Sequence, residues 1–463
     1  VLFNSYEFLL AFLPLVIAGY FAINRHGKGA AGNGWLVAAS LFFYAWWRAE
    51  YLALLAASIA VNFFVGRAIM RRAAQGLPAR ALLVAGIAFD LLLLSYFKYA
   101  NFFAENVAAL FGATAPRLDV ILPIGISFFT FTQIAFLVDA SKRKAAEPDP
   151  VNYALFVTYF PHLLAGPILH HREMMPQFAD ATNKRVVWEN VARGLALLAI
   201  GLAKKVLVAD PLAIEANAAF DSVLPLTFGD AWFGILCYTM QIYFDFSGYT
   251  DMALGMAMMM NIRLPQNFDS PYRRRNLQEF WRHWHMTLTR FLRDYVYIPL
   301  GGNRRGGAYT AFAIVATFVL GGLWHGANWT FVLWGLLNGV GLVVLRLWSR
   351  AGIRMPTLAA WAITFLFVNL AWVLFRAPNL ATAHSMYLSL FGARGLDGMR
   401  GVPPAYTLAT LGAACVMAML PRNSTRIVSE MSFGWPLQAA TAILLAAGIL
   451  SVGNPTEFLY FNF

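Results

Sequence analysis

The sequence predicts an all-α polytopic membrane protein, and three observations carry that prediction. Only 13% of the 463 residues are charged and 59% are hydrophobic, with a mean hydropathy of +0.58. A soluble domain carries about a quarter charged residues. Apolar runs recur along the whole chain, for example Ala81–Phe97, Phe331–Leu345 and Ala439–Val452. A helix needs roughly 20 apolar residues to cross about 30 Å of hydrocarbon, and these runs amount to about 11 transmembrane helices. Strand alternation is weak, which argues against a β-barrel.

The charge pattern fits the same class. Net charge is +12, from 35 Lys and Arg against 23 Asp and Glu. In a soluble chain that excess points to nucleic acid; here it marks cytoplasmic loops, and no nucleic-acid partner is expected. Arg25 and Lys28 follow the first span, Arg67, Arg71, Arg72 and Arg80 the third, and Lys142, Arg143 and Lys144 the fifth hydrophobic region. That alternation places the N-terminus outside. Phe8–Ile23 is followed by "NRHGKG" rather than by small residues, so it reads as a retained span and not as a cleaved leader. The two cysteines, Cys237 and Cys415, sit in apolar helical runs and read as small core residues.

No polar block is long enough for a soluble domain with its own core, so 1–463 reads as one membrane domain with its chemistry at about 120–345. Three regions depart from ordinary spans. Leu122–Asp139, "LPIGISFFTFTQIAFLVD", holds Ser127, Thr130, Thr132 and Gln133 among aromatics. Pro123 and Gly125 there predict a broken helix that faces protein or a water-filled cavity, with Gln133 as a substrate contact. Tyr159–Pro167, "YFPHLLAGP", predicts a kinked or re-entrant segment. The third region is Asn276–Gly307, "NLQEFWRHWHMTLTRFLRDYVYIPLGGNRRGG", where polar chemistry gathers.

Within it Asn276–Tyr297 reads as one helix, with Glu279 in the first turn and Pro299 beyond its end. Trp281, Trp284, Leu288, Phe291, Leu292 and Tyr295 form its apolar side, and Arg290 is spaced to pair with Asp294. The plain reading is an amphipathic membrane-surface anchor. Trp281, His285 and Thr289, four apart, share one face. A second histidine, His325, sits in "TFVLGGLWHGANW". An ionisable group in a membrane segment marks a functional site by default, and Gly321, Gly322 and Gly326 leave room beside it for a backbone or a ligand to approach. The alternative is a histidine that hydrogen-bonds neighbouring helices together. His285 and His325 come from successive elements and are placed to meet in one cavity, where neutral imidazoles suit general-base chemistry.

Of the eight histidines, His26, His170 and His171 lie in polar loops and read as ordinary, while His162 and His384 read as structural or interfacial. No HExxH or CxxC is present, so no metal is expected. GxSxG, GxGxxG and Walker loops are also absent. Asp245, Ser247, Tyr249 and Asp251 form a polar knot read as the cap of a helix beginning near Tyr249–Asp251, with a proton relay as the alternative.

Longer stretches carry a resemblance. "FDFSGYTDMALGMAMMMNIRLPQNFDSPY", "FWRHWHMTLTRFLRDYVYIPLGGNR" and "LGGLWHGANWTFVLWGLLNG" closely resemble the membrane-bound O-acyltransferase (MBOAT) family, in its bacterial alginate O-acetyltransferase-like branch. "VLFNSYEFLLAFLPL", "YFKYANFF", "FPHLLAGPI", "GLAKKVLVAD" and "FLYFNF" extend the likeness along nearly the whole chain. The resemblance implies helices around a central funnel in a bacterial inner membrane, surrounded by lipid. It implies acetyl transfer from cytoplasmic acetyl-CoA towards an exported polysaccharide, with a periplasmic SGNH-type partner. It maps the family's characteristic histidine to His325 and its second polar position to His285. Trp324 and Asn328 then become candidates to orient or donate, and Arg273, Arg274, Arg275 and Arg282 either attract the CoA phosphates or simply mark the inner face. His283 stands where the family pattern leads one to expect Arg. Two rival classes remain: a polysaccharide conduit without chemistry of its own, and a scaffold indifferent to His285 and His325.

Overall fold

The computed structural model describes every residue except 1, 26–28, 146, 148, 431, 433, 454–457 and 460–463. Lys28 and His26 therefore lie outside the described residues. The regular elements are all helical, as a backbone in hydrocarbon requires when it must satisfy its own hydrogen bonds. Six helices among the described residues are long and apolar enough to span: Glu7–Asn24, Glu50–Ala74, Arg80–Leu110, Gly307–His325, Trp329–Arg350 and Thr357–Arg376. Ile126–Ser141, Ala405–Ala418 and Trp435–Leu450 are apolar but shorter. Phe228–Met259 is long, but it carries Gln241, Asp245, Ser247 and Asp251 and is buried along most of its length.

The backbone groups into two compact units. The first comprises Val1–Ile200, Tyr249–Pro265 and Val428–Glu457. At its heart Ile126–Ser141 is buried on nearly every side. The expected break lies before this helix rather than within it. Gly125 enters it at φ 74°, and a Cβ there would come within 2.7 Å of Leu163 O, so both conformation and space demand glycine. The polar side chains bond one another inside the unit. Gln133 Nε2 donates to Ser58 Oγ (2.9 Å), Tyr153 Oη donates to Gln133 Oε1 (3.4 Å), and Asn62 Nδ2 donates to Asp90 Oδ1 (2.7 Å). Around Tyr159 the expected kink is present: one helix ends at Thr158 and a four-residue helix, Phe160–Leu163, follows. His162 is buried and its Nε2 lies 3.0 Å from Phe156 O. His384, in the second unit, is exposed.

His170 and His171 correct the sequence reading. They are not loop histidines on a polar surface; both are buried, 3.8 Å from Asp139 and 3.6 Å from Glu147 respectively. The local sequence looks polar because the groups that balance these imidazoles arrive from a distant stretch of chain.

The second unit comprises Gly201–Gly248, Gln266–Ile427 and Phe458–Phe463. Gly307–His325 and Trp329–Arg350 pack as a close hairpin. A Cβ on Gly322 would lie 2.2 Å from Phe331 O, and one on Gly335 2.3 Å from Phe318 O, so small residues set this helix contact. The room expected beside His325 is therefore filled by protein: backbone at Gly322 and the Phe331 ring at Gly326. Cys237 and Cys415 are free thiols in this unit.

The Asp245 knot is also corrected. Phe228–Met259 runs straight through Tyr249–Asp251, so no helix begins there to be capped. Asp245 instead pairs with buried Lys205 (2.6 Å), which also meets Asp210 (2.8 Å), and Leu459 N donates to Asp245 Oδ2 (2.9 Å).

Candidate active site

The helix expected over Asn276–Tyr297 is interrupted. Leu277–His283 forms the first piece, with Asn276 capping it by accepting from Glu279 N (2.8 Å). Met286–Leu292 forms the second, and Arg293–Tyr297 continues as a wide π turn. Between them His285 takes φ 42° and ψ 55°, a left-handed conformation that costs a non-glycine residue about 1–3 kcal/mol. Asn267 and Asp269 hold the break open. Asp269 N donates to His283 O (3.1 Å) and Met286 N donates to Asn267 O (3.0 Å). Thr287 N and Oγ1 both donate to Asn267 Oδ1, at 3.2 and 2.6 Å. Trp281, His285 and Thr289 therefore do not share a face of one continuous helix. Thr289 Oγ1 reaches back across the break to Trp281 O (3.1 Å).

The surface-anchor reading of this segment also fails, because its tryptophans are packed inside the protein. Trp281 is 9% and Trp284 2% exposed. Trp284 lies against Phe268 (5.1 Å between centroids) and Trp372 (5.0 Å). Asp294, expected to pair with Arg290, receives Arg293 Nε (2.7 Å).

His325 is the last residue of its spanning helix and is 5% exposed. Rings pack against it, among them Trp324 at 4.9 Å, Phe375 at 4.9 Å and Trp334 at 5.3 Å. The Trp324 ring also lies 6.0 Å from that of His285, so one indole touches both imidazoles. Phe246 packs edge-on against His285 at 4.7 Å. Trp281 joins the group through Trp334, at 5.6 Å. Burial pushes the His285 imidazole down to about 3, so at neutral pH it offers one N–H and one lone pair. The result is a water-poor aromatic box around two imidazoles, suited to moving a proton beside a developing oxyanion.

The other candidates divide. Asn328 is engaged in the fold: it accepts from Thr330 N (3.0 Å) and donates to Pro378 O (2.8 Å). Arg274 donates to Asp269 O (2.6 Å) and Oδ2 (3.1 Å). Arg273, Arg275 and Arg282 are exposed. His283, in the place of the expected arginine, donates from Nδ1 to Glu279 O (2.7 Å) and lies 3.6 Å from Asp269. Gln133 belongs to the first unit and is bonded there as described. Among the described residues no cluster of three or more His, Cys, Asp or Glu could hold a metal ion. Trp334, Phe375 and Phe246 were not singled out from the sequence. They look like any aromatic in an apolar run, and only contact with the imidazoles distinguishes them.

The sequence profile of the membrane-bound O-acyltransferase family matches residues 41–386, a stretch that includes both histidines. The chain belongs to this family. As an MBOAT protein it is a multi-pass membrane acyltransferase. It is 40% identical to a peptidoglycan O-acetyltransferase of Helicobacter pylori, over 100% of this chain and 98% of that one. A probable alginate O-acetylase AlgI of Pseudomonas aeruginosa is 41% identical over 84% of this chain and 75% of its own length. A teichoic acid D-alanyltransferase of Bacillus subtilis shares 28% identity over 56% of this chain and 70% of its own.

Proposed function

We propose that this MBOAT protein takes an acetyl group from cytoplasmic acetyl-CoA and delivers it across the bacterial inner membrane for O-acetylation of an exported glycan. The N-terminus is periplasmic in this reading, and an SGNH-type periplasmic partner completes transfer to the polysaccharide. The observation that carries the reading is the buried aromatic box that joins His325 to His285 through Trp324.

In the chemical step the acceptor hydroxyl oxygen adds to the thioester carbonyl carbon while His325 removes its proton. The tetrahedral oxyanion collapses, the C–S bond breaks, and the imidazolium returns the proton to the departing thiolate. Direct transfer of this kind needs no acyl-enzyme. Neutral His285 orients or hydrogen-bonds the reacting group, and exposed Arg273, Arg275 and Arg282 attract the donor's phosphates.

A second reading of the acceptor has its own support. The peptidoglycan O-acetyltransferase relative aligns end to end, whereas the alginate relatives extend beyond the match. The glycan in that reading is peptidoglycan rather than an alginate-like exopolysaccharide.

The test uses purified protein in nanodiscs with radiolabelled acetyl-CoA, following CoA release and label transfer to each glycan with the periplasmic partner present. Wild type should release CoA, and His325→Ala should not while remaining folded. Equal turnover by both proteins would remove His325 from the chemistry. The labelled glycan decides the acceptor.

A further inference from the structure

The indole N–H groups of Trp334 and Trp281, in the box, have no hydrogen-bond acceptor among the described residues. Both side chains are buried, with Trp334 3% exposed. Neighbouring indoles are treated differently. Trp372, which stacks on Trp334 with centroids 6.0 Å apart, donates from Nε1 to Tyr272 Oη (3.2 Å), and Trp361 donates to Tyr272 O (2.9 Å). The fold therefore can satisfy an indole donor in this region, and at Trp334 it does not. An indole N–H can only donate, so what it awaits is an acceptor that arrives with the substrate. The Trp334 ring stands edge-on to His325, at 5.3 Å and 86°. Trp281 is perpendicular to Trp334, at 5.6 Å and 84°.

We infer that Trp334 is a catalytic hydrogen-bond donor, its Nε1–H received by the carbonyl oxygen of the acyl group. This rests on the reading of His325 as the base. As the acceptor hydroxyl adds and His325 takes its proton, the carbonyl π electrons move onto oxygen. The indole N–H bonds that oxygen more strongly as its charge grows, and Trp334 keeps its proton throughout. Because the Trp334 donor is buried and set in place before substrate arrives, little solvent must reorganise when the charge appears.

The decisive variant is Trp334→Phe, which keeps a flat ring and removes the N–H; Trp372→Phe is the packing control. Each is compared with wild type for kcat and KM with acetyl-CoA. Affinity is measured for two unreactive analogues: a ketone-bearing acetonyl-CoA and a carbonyl-free S-ethyl-CoA. Trp334→Phe should lower kcat by about 10²-fold, as loss of one oxyanion donor does elsewhere, while Trp372→Phe stays within about threefold of wild type. Trp334→Phe should also weaken the ketone analogue by about fivefold and leave the ethyl analogue unchanged. Retained kcat in Trp334→Phe overturns the assignment. Equal loss of both analogues overturns it too, since that is the signature of packing or of an N–H that serves an ordered water. A wild type inert with acetyl-CoA and unable to bind either analogue overturns the donor reading and this inference together. An active wild type with an unaffected Trp334→Phe overturns this inference alone.

Discussion

His170 and His171, in the first unit, lie within 3.8 and 3.6 Å of Asp139 and Glu147, whereas His285 and His325, in the second, are bordered by Phe246, Trp324, Trp334 and Phe375. All four are buried, so burial alone does not tell the two pairs apart. The neighbours do. A carboxylate beside an imidazole stabilises one position and one protonation pattern, which suits a brace between segments. Aromatic walls exclude water without competing for the proton, which suits a group that must accept and return one. The backbone adds a further contrast. His285 is held in a strained left-handed conformation, while His171 is the first residue of a helix.

The comparison breaks most sharply at His325. His325→Ala should lower acetyl transfer by about 10³-fold, the scale of a lost general base, with the thermal unfolding transition intact. CoA release in nanodiscs measures the first and a melting curve the second. Next in size is a pure stability effect within the second unit. Lys205→Met leaves Asp245 and Asp210 without their cation and should cost about 3–5 kcal/mol. A further Asp245→Asn change in the same protein should recover part of the lost melting temperature.

In the first unit, His171→Phe or Glu147→Gln should destabilise by about 1–3 kcal/mol, through the partner left buried. Transfer by the surviving folded protein should stay within about threefold of wild type. A catalytic collapse there would erase the distinction between the two regions. His285 offers a finer test, because its strain and its chemistry pull in opposite directions. His285→Gly relieves the positive φ and should melt about as high as wild type or higher, while transfer falls about tenfold; His285→Ala should lose transfer equally but melt lower. The smallest effect belongs to the exposed arginines. Arg273→Ala combined with Arg275→Ala should raise KM for acetyl-CoA by about threefold, and added salt should shrink the difference because exposed charges are screened.

The helical membrane class and the family were legible in the chain, and so was the singling-out of His285 and His325 as candidates. Hydrophobic length, an ionisable residue inside "GGLWHGANW" and long ordered motifs are local signals, and they survive without knowledge of what packs against them. The geometry around those residues was not legible. The helix over Asn276–Tyr297 reads as continuous because each of its residues tolerates a helix. The break at His285 is made by Asn267, whose carbonyl and side chain take up the amides of Met286 and Thr287. The polar surroundings of His170 and His171 mislead for a similar reason, since Asp139 and Glu147 approach from a separate segment.

By itself the sequence determined that this protein must be helical and membrane-embedded, and that His285 and His325 must be accounted for. Charge density, apolar run length and residue type act over a few turns of chain. Only the tertiary structure decided that Trp324 lies against His285, that Lys205 neutralises Asp245 inside a long helix, and that Trp334 is left with a buried donor while Trp372 is not. These are contacts between residues distant in the chain. A hydrogen bond satisfied or withheld across such a distance leaves no trace in the composition or periodicity of either partner.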